Sequence, residues 1–331
     1  MNKKPTLSII MANYNYGHYI SEALEAILTQ SLMPLELIIV DDGSTDNSVD
    51  IIERFMGKHD IIKLIRNEKN MGGVFSVNSA LDIATGDYVY SAASDDKVLP
   101  GFIEKSMAIL EKYPQASLCC SDLKVKIGDK YIKKYLYLSK EPKYFSPDES
   151  VRLFLREPFT PIISHTTIIK RSVLLEVGGW LPKHKWSCDT FAHHVAVFRY
   201  GFCYIPEVLA VMRSHAEQYG ASRANKSQLE QELIRTLMDS IQEPQYNDVL
   251  QKFERTAPFS VSPWDVLMVA LSNKKDRKFL SFKLLRFAIV DGMIKKPLYS
   301  ILPHHLFNLL RSAVNWTRYI KYIIRRISRM D

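Results

Sequence analysis

Two pairs of adjacent carboxylates end two apolar runs: Asp41-Asp42 in LELIIVDDGSTDNS and Asp95-Asp96 in GDYVYSAASDDKVLP. The runs themselves, residues 37–40 and 88–90, are short and bounded by turn residues. That is the pattern of strands buried on both faces of a parallel sheet. Ligands of open α/β sheets sit outside the carboxyl ends of the strands. The spacing therefore aims both acidic pairs into one crevice, where carboxylates serve as hydrogen-bond acceptors, metal ligands or general bases. A second group follows: Gly178-Gly179-Trp180, then Asp189 in WSCDTF, then Arg213-Ser214-His215.

The elements that position these residues can be read from periodicity. Residues 6–12 form a strand, and residues 17–31 carry Ile20, Leu24, Ile27 and Leu28 at helical spacing. Pro34 turns the chain into the second strand. Ser44-Thr45-Asp46 supplies capping candidates for a helix over Ser48–Met56. A strand over 61–66, a helix from Gly72-Gly73 to Ala84 and a strand over 88–92 follow, and Pro100 is predicted to start a helix running to Lys112. Four β-α repeats give a mostly parallel sheet with helices on both faces. Beyond residue 115 the pattern changes to strands at 117–121 and 123–127 and a hairpin through Gly128-Asp129. A loop at 142–161 with a short helix at 151–155, a strand at 166–169 and a helix at 171–177 come next. A helix at 189–200 and a strand at 202–205 complete this part, and from about residue 222 the chain reads as helical. There Leu229, Leu233, Leu237 and Ile241 form a stripe, Ser262-Pro263 caps a helix and Asp291-Gly292 closes another.

The chain has 331 residues, 47% hydrophobic and 24% charged, which fits a globular protein of about two domains. Cys119, Cys120, Cys188 and Cys203 lack metal-ligand spacing, which points to a reducing compartment without a disulfide framework. Adjacent Cys119 and Cys120 should face opposite sides of one strand. The N-terminal apolar run is short and ends in Asn13-Tyr14-Asn15, so it reads as a strand and not a signal peptide. No run of about 18 apolar residues is present, so no spanning helix is expected. The net charge is +8, but residues 274–331 hold fourteen basic and three acidic residues, leaving the rest at −3. The basic character thus belongs to the tail, and it comes without any nucleic-acid-binding signature.

The ordered set SIIMANYN, ELIIVDDGSTDNS, NEKNMGG, GDYVY, SDDKVLP, VGGW, SCDTF and VMRSH resembles the family 2 glycosyltransferases of the GT-A fold, over roughly residues 5–222. The resemblance implies a nucleotide-sugar-binding half at 1–115, an acceptor-binding half at 116–222 and a helical C-terminal extension at 223–331. It implies that Asp42 recognises the base or ribose with Asp41 as helper, and that Ala12, Tyr14, Asn70 and Ser94 frame the nucleotide. Tyr14 reads equally as a core tyrosine. Asp95 falls at the last position of the family's D-x-D motif and is the implied ligand of Mn2+ or Mg2+; Ala93 stands where that motif begins. His215 is either a second metal ligand or a diphosphate contact, and Arg213 belongs to the same segment. Gly178, Gly179 and Trp180 resemble the acceptor-side glycine loop. Asp189 matches the second position of the family's E-D motif, the general base, and Cys188 replaces the Glu. Val77 stands where an arginine is common.

The implied activity is inverting transfer of a sugar from a nucleotide-diphosphate donor, a UDP-sugar by family habit, to a hydroxyl of a glycan or lipid-linked glycan. The alternative is a non-catalytic sugar-binding or glycan-binding protein on the same fold. Residues 305–330 sort on a helical wheel into an apolar side and a side with Arg311, Arg318, Lys321, Arg325, Arg326 and Arg329. That is the pattern of a helix lying on an anionic membrane surface, or of one docked on the protein. The expected location is cytoplasmic, peripheral on the inner membrane's cytoplasmic face.

Overall fold

The computed structural model describes residues 4–134, 136–156, 162, 164–215, 226–259 and 262–290. Its first part alternates β1 (Leu7–Asn13), α1 (Gly17–Leu28), β2 (Glu36–Asp41), α2 (Ser48–Met56), β3 (Ile62–Arg66), α3 (Gly73–Ile83) and β4 (Tyr88–Ala93). A two-residue strand β5 (Lys97–Val98) and α4 (Phe102–Lys112) follow. The second part holds β6 (Leu118–Ile127), β7 (Lys130–Lys134), β8 (Lys143–Phe145), α5 (Pro147–Arg156), β9 (Ile168–Lys170), α6 (Arg171–Glu176), α7 (Cys188–Tyr200) and β10 (Phe202–Arg213). Helices α8 (Lys226–Ile241), α9 (Asn247–Thr256), α10 (Pro263–Ser272) and α11 (Phe282–Val290) close the described chain.

One sheet runs β3-β2-β1-β4-β9-β6-β10-β5, with β7 on β6 and β8 on β10. β1 to β4 pair in parallel, as expected. Beyond β4 the sheet is mixed: β9 is antiparallel to β4 and β6, whereas β6 and β10 are parallel. The strict alternation along the strands sends side chains to both faces. Ile9, Met11, Leu37 and Ile39 pack with α1, α2 and α4, while Ile10, Ile38 and Val40 pack with α3, α6 and α7. Cys119 and Cys120 divide between the same two cores. Leu233, Leu237 and Ile241 of α8 join the α7 core, whereas Leu229 is exposed.

Several sequence expectations need correction. Pro100 does not open α4; Gly101 in the left-handed region (φ +85°) precedes Phe102, whose N–H returns to Leu99. The helix α2 takes no side-chain cap at Asn47; Asp46 instead accepts from Ser48 and from the N–H of Gly17. The strand expected to stop at 205 continues to Arg213, because the register slips around Pro206, a residue without a ladder donor. Ser262 does cap α10. The close at Asp291-Gly292 and the helix expected at 305–330 lie outside the described residues.

Candidate active site

Parallel register places the carboxyl ends of β2, β1 and β4 side by side, with Asn13 opposite Asp41 and Ala12 opposite Ala93. Strand order reverses at β1, the kind of switch point outside which ligands of open α/β sheets bind. Ala12 is half-buried and Tyr14 is 42% exposed. Ser94 is buried and donates to the Ala12 carbonyl at 3.3 Å, tying the end of β4 to β1.

The first acidic pair is turned inward. Asp41 Oδ2 accepts from Asn13 Nδ2 (2.9 Å) and Ser44 Oγ (2.6 Å), and Oδ1 accepts from the Ser44 N–H (2.9 Å). Asp42 Oδ1 accepts from Asn67 Nδ2 (2.7 Å) and the Met71 N–H (2.8 Å), and Oδ2 accepts from the Gly72 N–H (2.8 Å). A carboxylate has about four acceptor directions, so roughly one remains for a ligand. Asp42 therefore shapes the loop at 67–72, which enters α3 through Gly72 at φ +95°. Asn70 adds a bond to the Gly72 N–H (3.0 Å) and is otherwise exposed. Gly43 is required here: at φ +77°, a Cβ would lie 2.8 Å from the Lys69 carbonyl carbon.

The second pair splits. Asp95 Oδ2 lies 2.9 Å from His215 Nε2. Asp96 turns away, with Oδ1 accepting the Arg213 N–H (2.6 Å) and Oδ2 3.8 Å from His165 Nδ1. Burial, reinforced by the charge of Asp95, raises Asp96 to about 8. Burial lowers His165 to about 4, where Tyr90 and the Lys97 carbonyl hold its ring. The buried Arg213 donates to the Asp95 carbonyl (2.6 Å), pairs with Glu22 and lies over Tyr19 at 5.0 Å. It thus braces the turn that carries Asp95. Tyr19 and Tyr16 flank His215 at 5.1 and 5.8 Å.

Among the described residues, no group of three or more His, Cys, Asp or Glu side chains is arranged to hold a metal ion. Asp95 and His215 are an oxygen–nitrogen pair in contact, with Nε2 the ring nitrogen turned toward the carboxylate. Such a pair suits a divalent cation whose remaining positions are filled by phosphate oxygens and water, and does not suit one that needs a full protein cage.

Asp189 lies in the first turn of α7 and is half-buried. Its Oδ2 accepts from Ser164 Oγ (2.9 Å) and its Oδ1 from the Thr190 N–H (2.6 Å). The short turn Ser164–Thr166 thus holds Asp189 through Ser164 and sets the His165 ring 3.8 Å from Asp96. Cys188 cannot replace an acid: burial, and then the charge of Asp189, push its thiol up to about 12. The Gly178-Gly179 pair ends α6 with bonds back to Leu175 and Leu174, at φ +91° and +69°. Buried Trp180 is clamped by Asn78, which donates to its carbonyl at 2.7 Å. Helix α3 therefore carries the Asp42 loop at its start and the Trp180 loop on its side.

Direct contacts tie Asp41 to Asn13, Ser94 to Ala12, Asp42 to the loop that carries Asn70, Asp95 to Arg213 and His215, and Asp189 to Ser164. Asn67, Glu22, Ser164 and His165 were not singled out in the sequence; each acts on a partner at least 25 residues away and no local pattern marks it.

The family model described as Glycosyl transferase family 2 matches residues 8–178. The chain is 41% identical over 114 residues to a protein of Bacillus subtilis (strain 168) that carries a glycosyltransferase name, EpsE. That match covers 34% of this chain and 41% of the relative's length. S. aureus TarS 1–349, solved with UDP-GlcNAc, superposes with a TM-score of 0.63 at 18% identity, over 86% of this chain and 78% of that one. The mannosyltransferase PcManGT from Pyrobaculum calidifontis, solved with GDP-Man and Mn2+, gives 0.55 at 19% identity, over 90% and 83%. At such identities the superpositions establish a shared fold, the GT-A fold.

Proposed function

The chain belongs to glycosyl transferase family 2, and from that premise we propose that it is an inverting transferase using a nucleoside-diphosphate sugar. The donors bound by TarS and PcManGT support this donor class, and the Mn2+ of the latter supports a divalent cation. A UDP-sugar is the first donor to test, and a glycan or lipid-linked glycan hydroxyl is the acceptor class.

In this reading the loop held by Asp42, with Asn70, receives the nucleoside through the remaining acceptor direction of that carboxylate. Tyr14, Ala12 and Ser94 border the base, and Asp41 keeps the turn at 41–44 closed. Asp95 and His215 would hold a divalent cation, which would supply charge neutralisation at the departing diphosphate. Arg213 and Asp96 fix the turn that carries Asp95. The Gly178-Gly179-Trp180 loop borders the acceptor. Asp189 takes the proton from the acceptor hydroxyl as its oxygen bonds to the anomeric carbon. The bond from that carbon to the diphosphate breaks, its electron pair leaves with the phosphate oxygen, and one displacement inverts the centre.

The observation that carries the reading is the turn Ser164–Thr166, whose Ser164 hydroxyl holds the candidate base and whose His165 ring stands 3.8 Å from Asp96, the neighbour of the candidate metal ligand Asp95. Asp189→Asn tests it. Nucleotide binding, read by calorimetry, should persist while turnover falls roughly 10²–10⁴-fold. Near-normal transfer by this variant would refute the assignment.

We place the protein on the cytoplasmic face of a membrane through residues 305–330. No helix among the described residues is long and apolar enough to cross a bilayer.

A further inference from the structure

Far along the chain from the crevice, α11 begins with Phe282, which is 85% exposed, more than any other large hydrophobic side chain among the described residues. Leu285, three residues on, shares its side of the helix and is also exposed. Phe282 lines a groove of about 350 Å³ with Leu155 and Phe287, and the basic members of the lining are Arg255, Lys283 and Arg286. Over residues 274–290 the chain has six basic side chains, and its single acid, Asp276, is fully buried. Lys275 and Lys278 pair with Asp239 of α8 and Glu254 of α9, and Lys283 donates to the Thr256 carbonyl, so the exposed aromatic and aliphatic anchors stand beside Arg255 and Arg286.

We infer that this face of α11 docks on an anionic lipid bilayer. Two other occupants fit less well by charge. Residues 305–330 have an apolar side but would bring six cations beside Arg255 and Arg286, and a second copy meeting this face through a two-fold axis would set like charges against each other. An acidic macromolecule would satisfy the cations but leave Phe282 and Leu285 without an apolar phase. A bilayer takes both: the apolar side chains enter the boundary between headgroups and acyl chains, and the cations remain at the anionic headgroups. The inference rests on residues other than 305–330 and other than the catalytic candidates, so it can fail while both of those readings stand.

The test uses the full chain and vesicles of phosphatidylcholine with or without about 30% phosphatidylglycerol. Each lost cation should lower partitioning about fivefold, so Arg255→Gln with Arg286→Gln should lower it by a factor of roughly 25. Phe282→Ser should lower it about tenfold. Phe282 is solvent-exposed, so its variants should keep the fold. Phe282→Trp adds a direct reading: the emission gained over wild type should shift blue on phosphatidylglycerol vesicles and be quenched by brominated acyl chains. Equal pelleting of wild type and variants, equal binding to neutral vesicles, or unshifted emission from the Phe282→Trp variant would overturn the inference.

Discussion

Glu36 offers a measurable account of how the sheet beneath the site is held. It opens β2 at the end opposite the crevice and is 3% exposed. Its Oε1 accepts from Ser8 Oγ (2.6 Å) and from the Thr85 N–H and Oγ (both 2.8 Å), and its Oε2 pairs with Lys63 at 2.7 Å. Ser8 in turn accepts from the Gly86 N–H at 2.8 Å. One carboxylate thus ties β1, β2, β3 and the entry to β4. Burial raises its pKa, but the Lys63 ammonium and the Ser8 and Thr85 hydrogen bonds outweigh burial and hold it at about 2, against 4.5 ordinarily. That drop corresponds to about 3 kcal/mol of folding stability. The unfolded chain binds the proton more tightly, so stability rises with pH across this window. The contribution is complete above about 4.5 and is lost as pH falls through about 2. Glu36→Gln should therefore lose about 2–3 kcal/mol in urea unfolding at about pH 7, while nucleotide binding is unchanged. The gap to wild type should shrink by about 1 kcal/mol at about pH 4 and by more than half at about pH 3. A gap that is constant with pH, or no gap at neutral pH, would refute the assignment of this energy to the ionised carboxylate.

Gly43→Ala forces a Cβ against the Lys69 backbone at φ +77°, so the loop at 67–72 should move and calorimetric binding of UDP should weaken at least tenfold. Asp95→Ala should abolish the Mn2+ dependence of nucleotide binding in a thermal-shift series, whereas Asp42→Ala should weaken binding even without metal; unchanged binding in both would put the donor site elsewhere. Truncation after Pro303 should reduce pelleting with anionic vesicles, and equal pelleting would remove residues 305–330 from the membrane reading.

The first half of the fold was legible because each strand, its terminal acid and the following helix are adjacent in sequence. The apolar runs of β1, β2 and β4 are buried on both faces, and such strands announce themselves. β5 and β8 have two and three residues and are strands only because β10 pairs with them. No window of local sequence holds that information. The same distinction governs β10, which runs past Pro206 because β6 supplies a ladder on the other side of the bulge.

The site shows a parallel division between residue and role. Motif spacing singles out Asp42, Asp95, Asp189 and His215 as candidates, but not what their neighbours do. Adjacent acids leave a strand end in different directions, so Asp95 meets His215 while Asp96 is drawn under the turn toward His165. Arg213 sits in a segment that resembled a diphosphate contact, yet its guanidinium is buried against Asp95, Glu22 and Tyr19, 118 residues separating it from the carbonyl it holds. The departure at Ala93 then has a structural reading. Ala93 is the β4 residue opposite Ala12, and a carboxylate there would stand at the β1 edge of the crevice. With that position apolar, the candidate metal site rests on Asp95 and on His215, a residue brought in from beyond β10. Its integrity therefore depends on the β10 end of the sheet as much as on the acidic turn, and Arg213 is the side chain that joins the two.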